Sequence, residues 1–147
     1  MDKFDRKIVV ALQENARLSY AELARRVSLS APAVAERVEK LERSGVLSAY
    51  RAIINPEKLG LPILCLIELT VKNLEYYSVL DTLREMPEII ECHSITGTSG
   101  LMIKVAVENM GSLQELIARL MQYGDTKTCI IIDTPIPPRM PMPRDEE

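Results

Sequence analysis

Aromatic residues are scarce in this sequence, which contains no tryptophan and one phenylalanine among 147 residues. Proteins that bind single-stranded nucleic acid commonly stack its bases on aromatic side chains, so we do not expect that mode of binding. Long apolar runs are also missing, since none reaches the roughly 20 residues of a membrane-spanning helix. The first residues, MDKFDRKI, lack the pattern of a secretory signal. We therefore expect a cytoplasmic protein without a membrane segment.

Residue types that commonly perform catalysis or hold metals are few. His93 is the only histidine, and within a predicted strand a lone histidine is usually packed or exposed rather than catalytic. We find no nucleophile–base pair, metal-ligand spacing or phosphate-binding loop. We therefore predict a protein that is not an enzyme and that requires no metal or cofactor.

The three cysteines are Cys65, Cys92 and Cys129, which are far apart and each set among apolar residues. An odd number at such spacing argues against a disulfide framework and against a zinc site. We therefore predict buried, reduced thiols.

Charge is distributed unevenly along the chain. The net charge is −3, yet residues 1–51 contain ten Lys and Arg against seven Asp and Glu, whereas residues 52–147 contain eight against fourteen. A basic first third joined to an acidic remainder indicates a division of labour and supports a nucleic-acid role without establishing it.

The first third predicts three helices. Apolar residues at helical spacing place the first from about Asp2 to Asn15. The second begins at SYAELARRV, where Ser19 and Glu22 have the S-x-x-E spacing of a capping box. A short break at Ser28-Leu29 precedes the third helix, in the order typical of a helix-turn-helix motif.

The third helix lies within RVSLSAPAVAERVEKLERSG. Ser30 is the predicted N-cap, Pro32 falls in the first turn, and Gly45 follows the last turn. The apolar residues Val34, Val38 and Leu41 share one face. Taken alone, this pattern fits an ordinary solvated helix as well as one that lies in a DNA groove.

The remaining chain alternates between strand and helix patterns. VLSAYRAII predicts a strand or wing, NPEKLG a connector, and Ile63 to Val71 a strand with apolar residues at every second position. A helix (EYYSVLDTLREM), two strands (IIECHSITG, LMIKVAVE), a helix (SLQELIARLMQY) and a strand (KTCIIID) follow. We therefore predict an α+β protein with a winged helix-turn-helix domain and a βαββαβ, ferredoxin-like domain. The final PIPPRMPMPRDEE is too rich in proline to fold as an element.

These residues resemble the Lrp/AsnC, or feast/famine, transcriptional regulators. The resemblance rests on FDRKIVVALQENARLSYAELARRVSLSAPAVAERVEKLERSGVL, on Leu59-Gly60, and on Thr96-Gly97 ahead of LMIKV. Each piece is weak alone, but their order and spacing over nearly the whole chain are specific. LSAPAVAERVEKLE, KLGLP and the non-acidic GTSG loop look most like its LrpC-like branch.

The resemblance implies a DNA-binding domain over 1–50, a linker strand or hinge over 51–60, a ligand-binding and oligomerisation domain over 61–135, and a proline-rich tail over 136–147. It implies a homodimer, commonly assembled into an octamer, with a free amino acid bound between dimers as the effector. We expect the apolar outer face of the Ile63–Val71 strand to form the dimer surface, because an exposed patch there would aggregate.

The resemblance also makes Ser30 to Ser44 the recognition helix. The residues that we expect at base edges are Ser30, Ala31, Ala33, Glu36 and Arg37, where Arg37 has the chemistry for a bidentate contact to guanine or phosphate. The residues that we expect at the phosphate backbone are Lys40, Arg25, Arg26 and Arg51. The alternative for each basic residue is a solvated charge.

The loop from Thr96 to Gly100 is the candidate effector site, comprising Thr96, Gly97, Thr98, Ser99 and Gly100. The family usually has an aromatic residue and an aspartate here, and Ser99 and Gly100 occupy the matching positions. A carboxylate for the ammonium group of an amino acid is therefore absent from the loop, although its backbone N–H groups could hold a carboxylate. The alternative is that the glycines only allow the positive φ angles of a hairpin.

The predicted function is sequence-specific regulation of transcription by an oligomer that binds double-stranded DNA, with an amino acid as candidate modulator. The alternative is an architectural DNA-binding protein of low sequence preference without an effector, which the ratio of specific to non-specific affinity would distinguish. A third class, a sensor acting through protein contacts, would show little salt-dependent DNA binding.

Overall fold

The computed structural model describes residues 1–72, 76–97 and 100–138. Contacts within the chain divide it into two compact units, a helical unit over Met1–Ile53 and a sheet unit over Ile54–Ile136. No helix among the described residues is long and apolar enough to cross a membrane.

Three helices form the helical unit: α1 (Lys3–Glu14), α2 (Tyr20–Val27) and α3 (Ala31–Arg43). The apolar positions that recur at helical spacing meet in one core, as the periodicity predicts. Its fully or nearly fully buried side chains are Ile8, Val9, Ala11, Leu12, Leu23, Ala24, Val27, Val34, Val38 and Leu41.

The predicted caps of the second and third helices are confirmed. The Ser19 N–H donates to Glu22 Oε2 at 2.8 Å, and the Glu22 N–H donates to Ser19 Oγ at 3.3 Å, which completes the capping box. Ser30 Oγ accepts from the Ala33 N–H at 3.4 Å. These side chains satisfy N–H groups that the first turn of a helix leaves without a backbone partner.

The predicted strand or wing after Gly45 is wrong, and so is the strand alternative for 51–60, whereas the hinge alternative for 51–60 stays a prediction. Residues 46–60, all of which the structure describes, contain no strand, and a 3₁₀ helix spans Pro56–Leu59. Ile53 is 94% exposed. A strand requires a neighbour for its N–H and C=O groups, and this segment has none within the described chain.

The sheet unit contains β1 (Ile63–Val71), α4 (Tyr76–Arg84), β2 (Ile89–Ser94), β3 (Gly100–Val107), α5 (Met110–Leu120) and β4 (Gly124–Ile130). The strands form an antiparallel sheet in the order β2-β3-β1-β4. This order confirms the predicted ferredoxin-like topology. Both helices contribute to the same core as the inward side chains of the strands.

The two faces of β1 differ in burial. Cys65, Ile67 and Leu69 are fully buried on the face that joins the core, whereas Leu66 on the other face is 37% exposed. Leu66 lies between Lys104 of β3 and Cys129 of β4 in the register of the sheet. The outer face therefore carries apolar side chains beside charged ones.

The prediction of three buried thiols is correct for Cys65 and wrong for the other two. Cys92 and Cys129 are exposed, and all three cysteines are free. Cys92 lies on β2, at one edge of the sheet, and Cys129 lies on β4, at the other edge. Cys92 lies opposite Ile103, beside α4, and Cys129 lies opposite Leu66 on the outer face, so apolar neighbours in the sequence did not suffice to bury them.

Gly124 begins β4 at a point where the backbones of β1 and β4 lie very close together. A Cβ atom at this position would lie 2.0 Å from the carbonyl oxygen of Thr70 and 2.7 Å from its carbonyl carbon. Any side chain here would therefore force the two strands apart.

Candidate nucleic-acid interface

A tight turn joins α2 to α3 and determines the angle between them. Ser28 has φ 59° and ψ 49°, a left-handed conformation that residues other than glycine rarely adopt. The Leu29 N–H donates to the Ala24 carbonyl at 3.1 Å, and α3 then begins after the Ser30 cap. This is the helix-turn-helix geometry that the sequence predicts.

The face of α3 that points away from the core carries charges of both signs. Its exposed residues are Pro32, Glu36, Glu39, Lys40 and Arg43. Arg43 forms an exposed ion pair with Glu39 at 3.5 Å. Lys40 forms no hydrogen bond or ion pair within the described part of the chain. The face therefore presents small side chains near its N-terminal end and an unpaired lysine further along.

The predicted base-edge residues at the start of α3 do not all face solvent. Ser30 is exposed, Ala33 is half-buried, and Ala31 packs against the core of the helical unit. Ala31 is only partly exposed because it packs against this core, and its contact to a base edge stays a prediction. Pro32 was missed as a candidate, although it lies four residues before Glu36 and so shares its face.

Arg37 lies elsewhere than at a free DNA-reading surface. Its Nη1 atom donates to Asp2 Oδ2 at 2.6 Å and to Asp5 Oδ1 at 2.7 Å. The guanidinium carbon also lies 5.5 Å from the centroid of the Phe4 ring, a cation–π distance. The Arg37 side chain is 29% exposed, and that of Asp5 is 6% exposed. The guanidinium is thus engaged by two carboxylates in this structure, and its contact to guanine or phosphate stays a prediction.

The two aspartates form the capping box of α1. Asp2 Oδ1 accepts from the N–H groups of Phe4 at 2.8 Å and Asp5 at 2.9 Å, and the Asp2 N–H donates to Asp5 Oδ2 at 3.2 Å. The backbone hydrogen bond from Asp5, followed by the bond from Arg37, lowers the pKa of Asp2 to about 2. The same two carboxylates raise the pKa of Arg37.

The remaining residues that we expect at phosphates differ in whether they form an ion pair within the described chain. Arg26 donates to Glu14 at 3.1 Å, whereas Arg25 and Arg51 are exposed and form no hydrogen bond or ion pair with the described residues. Two hydrogen bonds from Ser19 and then the charges of Arg25 and Arg26 lower the pKa of Glu22. Arg25, Arg51 and Lys40 are thus the most available cations among the predicted contacts.

Tyr50 joins the segment before Arg51 to α3. Its O–H group donates to Glu42 Oε1 at 2.8 Å, and partial burial and this bond raise the pKa of Tyr50 to about 12. Tyr50 also lines an open groove of about 470 Å³ in the helical unit, together with Leu12, Leu18, Tyr20 and Leu23. No pattern in the sequence indicates this contact, since the two residues fall in different predicted elements.

The candidate effector loop joins β2 to β3. The Ile95 N–H donates to the Gly100 carbonyl at 2.9 Å, Gly97 has φ 113° and Gly100 has φ 80°. Thr96 is exposed, while Thr98 and Ser99 lie outside the described residues. Both glycines adopt the positive φ angles that the hairpin interpretation requires, and the effector interpretation stays a prediction.

His93 is a surface residue of β2. Its side chain is 64% exposed, and its Nε2 atom lies 3.6 Å from Glu91 Oε2. Its exposed position agrees with the expectation of a packed or exposed histidine.

Comparisons with known proteins cover both units. Residues 1–42 match the AsnC-type helix-turn-helix domain, and residues 64–141 match the Lrp/AsnC ligand binding domain. The HTH-type transcriptional regulator LrpC of Bacillus subtilis (strain 168) is 36% identical over 137 residues, which cover 91% of this chain and 95% of LrpC. The regulatory protein AsnC of Escherichia coli (strain K12) is 33% identical over 141 residues, which cover 92% and 93% of the two chains.

Solved structures agree with these matches. The structure of B. subtilis LrpC aligns with a TM-score of 0.90 at 33% identity and covers 94% of this chain and 99% of that one. A Neisseria meningitidis transcriptional regulator in complex with L-Met aligns with a TM-score of 0.89 at 25% identity and covers 97% and 96%.

Proposed function

The chain belongs to the Lrp/AsnC family of transcriptional regulators, and we propose that it binds specific double-stranded DNA sites through the exposed face of α3. The resemblance seen in the sequence is thereby confirmed. The observation that carries the proposal is a helix-turn-helix whose second helix turns an uncovered face, with small residues at its start, to solvent.

In this proposal, the start of α3 reads bases. Ser30, Pro32 and Ala33 are small enough to let the helix approach the floor of the major groove, and Glu36 follows on the same side. A glutamate can accept a hydrogen bond from the amino group of cytosine. These contacts carry the sequence information.

Phosphate contacts supply most of the affinity. Lys40, Arg25 and Arg51 have no ion-pair partner among the described residues, so binding a phosphate does not require them to break one. Arg26 would have to leave Glu14, and Arg43 would have to leave Glu39. We therefore rank these two below the first three.

A single α3 contacts too few base pairs to select one site in a genome. Two copies related by a dyad would meet half-sites about 34–36 Å apart, or a multiple of that distance. We propose that the outer face of β1, with Leu66 at its centre, contributes to the dimer surface. Closed symmetry then favours an oligomer with an even number of chains, built from such dimers.

We propose an amino acid as the effector. One relative, the N. meningitidis regulator, is solved with L-Met. In this chain the loop from Thr96 to Gly100 offers backbone N–H groups and a threonine hydroxyl but no carboxylate for an ammonium group. The missing carboxylate favours the second candidate function, an architectural DNA-binding protein without an effector.

The salt dependence of DNA binding tests the proposal. The logarithm of the affinity for a random-sequence duplex should fall steeply with the logarithm of salt concentration, and Lys40→Gln should reduce the slope by about 0.9. Lys127→Gln, which alters an exposed lysine of the sheet unit, is the control and should leave the slope unchanged. A wild-type slope near zero would contradict DNA binding by this chain.

Thermal melting with each of the twenty amino acids tests the effector. An amino acid at about a hundred times its dissociation constant should stabilise the protein by roughly 2.7 kcal/mol. A rise in melting temperature with one amino acid that disappears in Thr96→Ala would support the loop as the effector site. The absence of a shift with all twenty would favour the architectural alternative.

A further inference from the structure

We propose that Arg37 is a positioning residue that sets the orientation of α3 by binding the capping-box carboxylates of α1, and that it does not contact DNA. The proposal deepens the proposed function, since it concerns how the recognition helix is held. It rests on a cluster of Asp2, Phe4, Asp5 and Arg37, in which residues 35 and 32 positions apart are joined by hydrogen bonds.

The first step is that Arg37 adds a directional constraint to the apolar packing of α3. Val34, Val38 and Leu41 contact the core through non-directional apolar surface. Charge-assisted hydrogen bonds from a guanidinium to carboxylates are directional and short. One Arg37 nitrogen bonds to two carboxylates that the backbone of α1 holds in place, so the cluster ties α3 to α1 at a defined rotation in addition to the apolar packing.

The second step is that this angle determines which residues face DNA. Glu36 precedes Arg37 and lies about 100° away around the helix. Holding Arg37 against α1 therefore directs Glu36, and Pro32 one turn before it, to solvent. A rotation of α3 would move these side chains together.

The third step is that breaking the ion pairs of Arg37 with the two aspartates destabilises the helical unit. The Asp5 side chain is 6% exposed, and without Arg37 the described contacts leave it only the Asp2 N–H at 3.2 Å. A buried carboxylate without a cation is strongly destabilising. The Phe4 ring, with the Lys3 Nζ atom 5.1 Å from its centroid and the Arg37 guanidinium at 5.5 Å, further restricts the Arg37 side chain.

Asp5→Asn gives the sharpest test because two explanations predict opposite signs. If Arg37 positions α3, Asp5→Asn loosens the cluster and should weaken binding to a duplex that wild type enriches from a random library by about tenfold relative to a scrambled duplex, which corrects for the lost charge. If Arg37 is a DNA contact held back by Asp5, the same substitution frees it and strengthens binding. Strengthened or unchanged binding by Asp5→Asn would overturn the proposal.

The salt slope gives a second readout. Arg37→Gln should weaken binding to the same duplex while leaving the slope within about 0.3 of wild type, whereas Lys40→Gln should lose about 0.9. A slope loss of about 0.9 in Arg37→Gln would identify a phosphate contact and contradict positioning. If Arg37→Gln does not fold, Arg37→Lys and Asp2→Asn, which each keep part of the cluster, replace it in the same assay.

Thermal melting tests the cluster without DNA. Arg37→Gln and Asp5→Asn should each lower the melting temperature, and the double variant should lose little more than the larger single loss. Additive losses would contradict the cluster. If wild type fails to bind any duplex, the proposed function fails. Non-additive losses of melting temperature in the double variant would still show that the cluster holds α3. The Glu39→Gln variant, altered at an exposed acid on α3, is the control for a general charge effect.

Discussion

The two capping boxes of the helical unit have the same local pattern and different connections. At α2, Ser19 and Glu22 bond only to each other and to their own backbone. At α1, Asp2 and Asp5 do the same and also bind Arg37 of α3. The difference lies in the partners: the Asp2 and Asp5 carboxylates form direct ion pairs with Arg37, whereas the Glu22 carboxylate is bonded by Ser19, with the charges of Arg25 and Arg26 nearby.

The sheet unit, in contrast to the α1 box, depends on close packing. Its core is apolar, and its tightest point is the backbone contact at Gly124. A substitution at the Gly124 contact should therefore lower the free energy of unfolding more than a substitution in the α1 capping box. A substitution in the α2 capping box should lower it least of the three.

The largest effect is expected for Gly124→Ala. The added Cβ would lie 2.0 Å from the Thr70 carbonyl oxygen, so β4 must shift from β1, at a cost of about 3 kcal/mol. Hydrogen exchange should show lost protection along β1 and β4 while α1 to α3 stay protected. The control Gly111→Ala should lie within about 1 kcal/mol of wild type; equal losses in both variants would refute the packing explanation.

Acid should weaken the α1 box more than the α2 box. The pKa of Asp2 is lowered from 3.8 to about 2 in the folded protein, so its stabilising contribution is complete above pH 3.8 and is lost as pH falls through 2. Wild type should therefore lose more stability over this range than Asp2→Asn, which keeps the cap but cannot titrate. Denaturant titrations at several pH values measure the difference, and parallel curves for the two proteins would argue against it.

Removal of the α2 cap should have a smaller effect. Ser19→Ala deletes the acceptor for the Glu22 N–H and should cost about 1 kcal/mol. Ser48→Ala, at an exposed serine outside any helix, serves as the control. Equal midpoints for the two variants in a urea titration would show that the box contributes nothing.

The smallest effect is expected at the turn between α2 and α3. Ser28 has φ 59°, and glycine adopts this conformation without a steric penalty. Ser28→Gly should change the free energy of unfolding by less than about 1 kcal/mol, with a gain expected, because relief of strain outweighs the added freedom of the unfolded chain. A loss in a urea titration would contradict the strain interpretation.

Local patterns predicted most of the fold. The caps at Ser19 and Ser30 and the order of elements in both units depend on residues close together in sequence, so periodicity and cap chemistry suffice. The failures concern partners far apart or absent. The segment after Gly45 has strand-like residues but no neighbouring strand, and Cys92 and Cys129 lie on edges that only topology defines.

The candidate site follows the same rule. The position of the recognition helix was predictable, and Lys40, Arg25 and Arg51 are exposed as a DNA contact requires. The ion pairs of Arg37 with Asp2 and Asp5 were not predictable, because they depend on how α1 and α3 pack. An arginine on a recognition helix is therefore not by itself evidence of a DNA contact.

Regulation by this protein, as proposed, depends on α3 reading a DNA sequence. The most direct measurement is the affinity of the wild-type protein for a duplex that it enriches from a random library, relative to a scrambled duplex at the same salt concentration. We predict a ratio of about 10³ or more, as for specific DNA-binding proteins, reduced by Glu36→Gln. A ratio near one would contradict sequence-specific regulation through α3 and would identify an architectural DNA-binding protein.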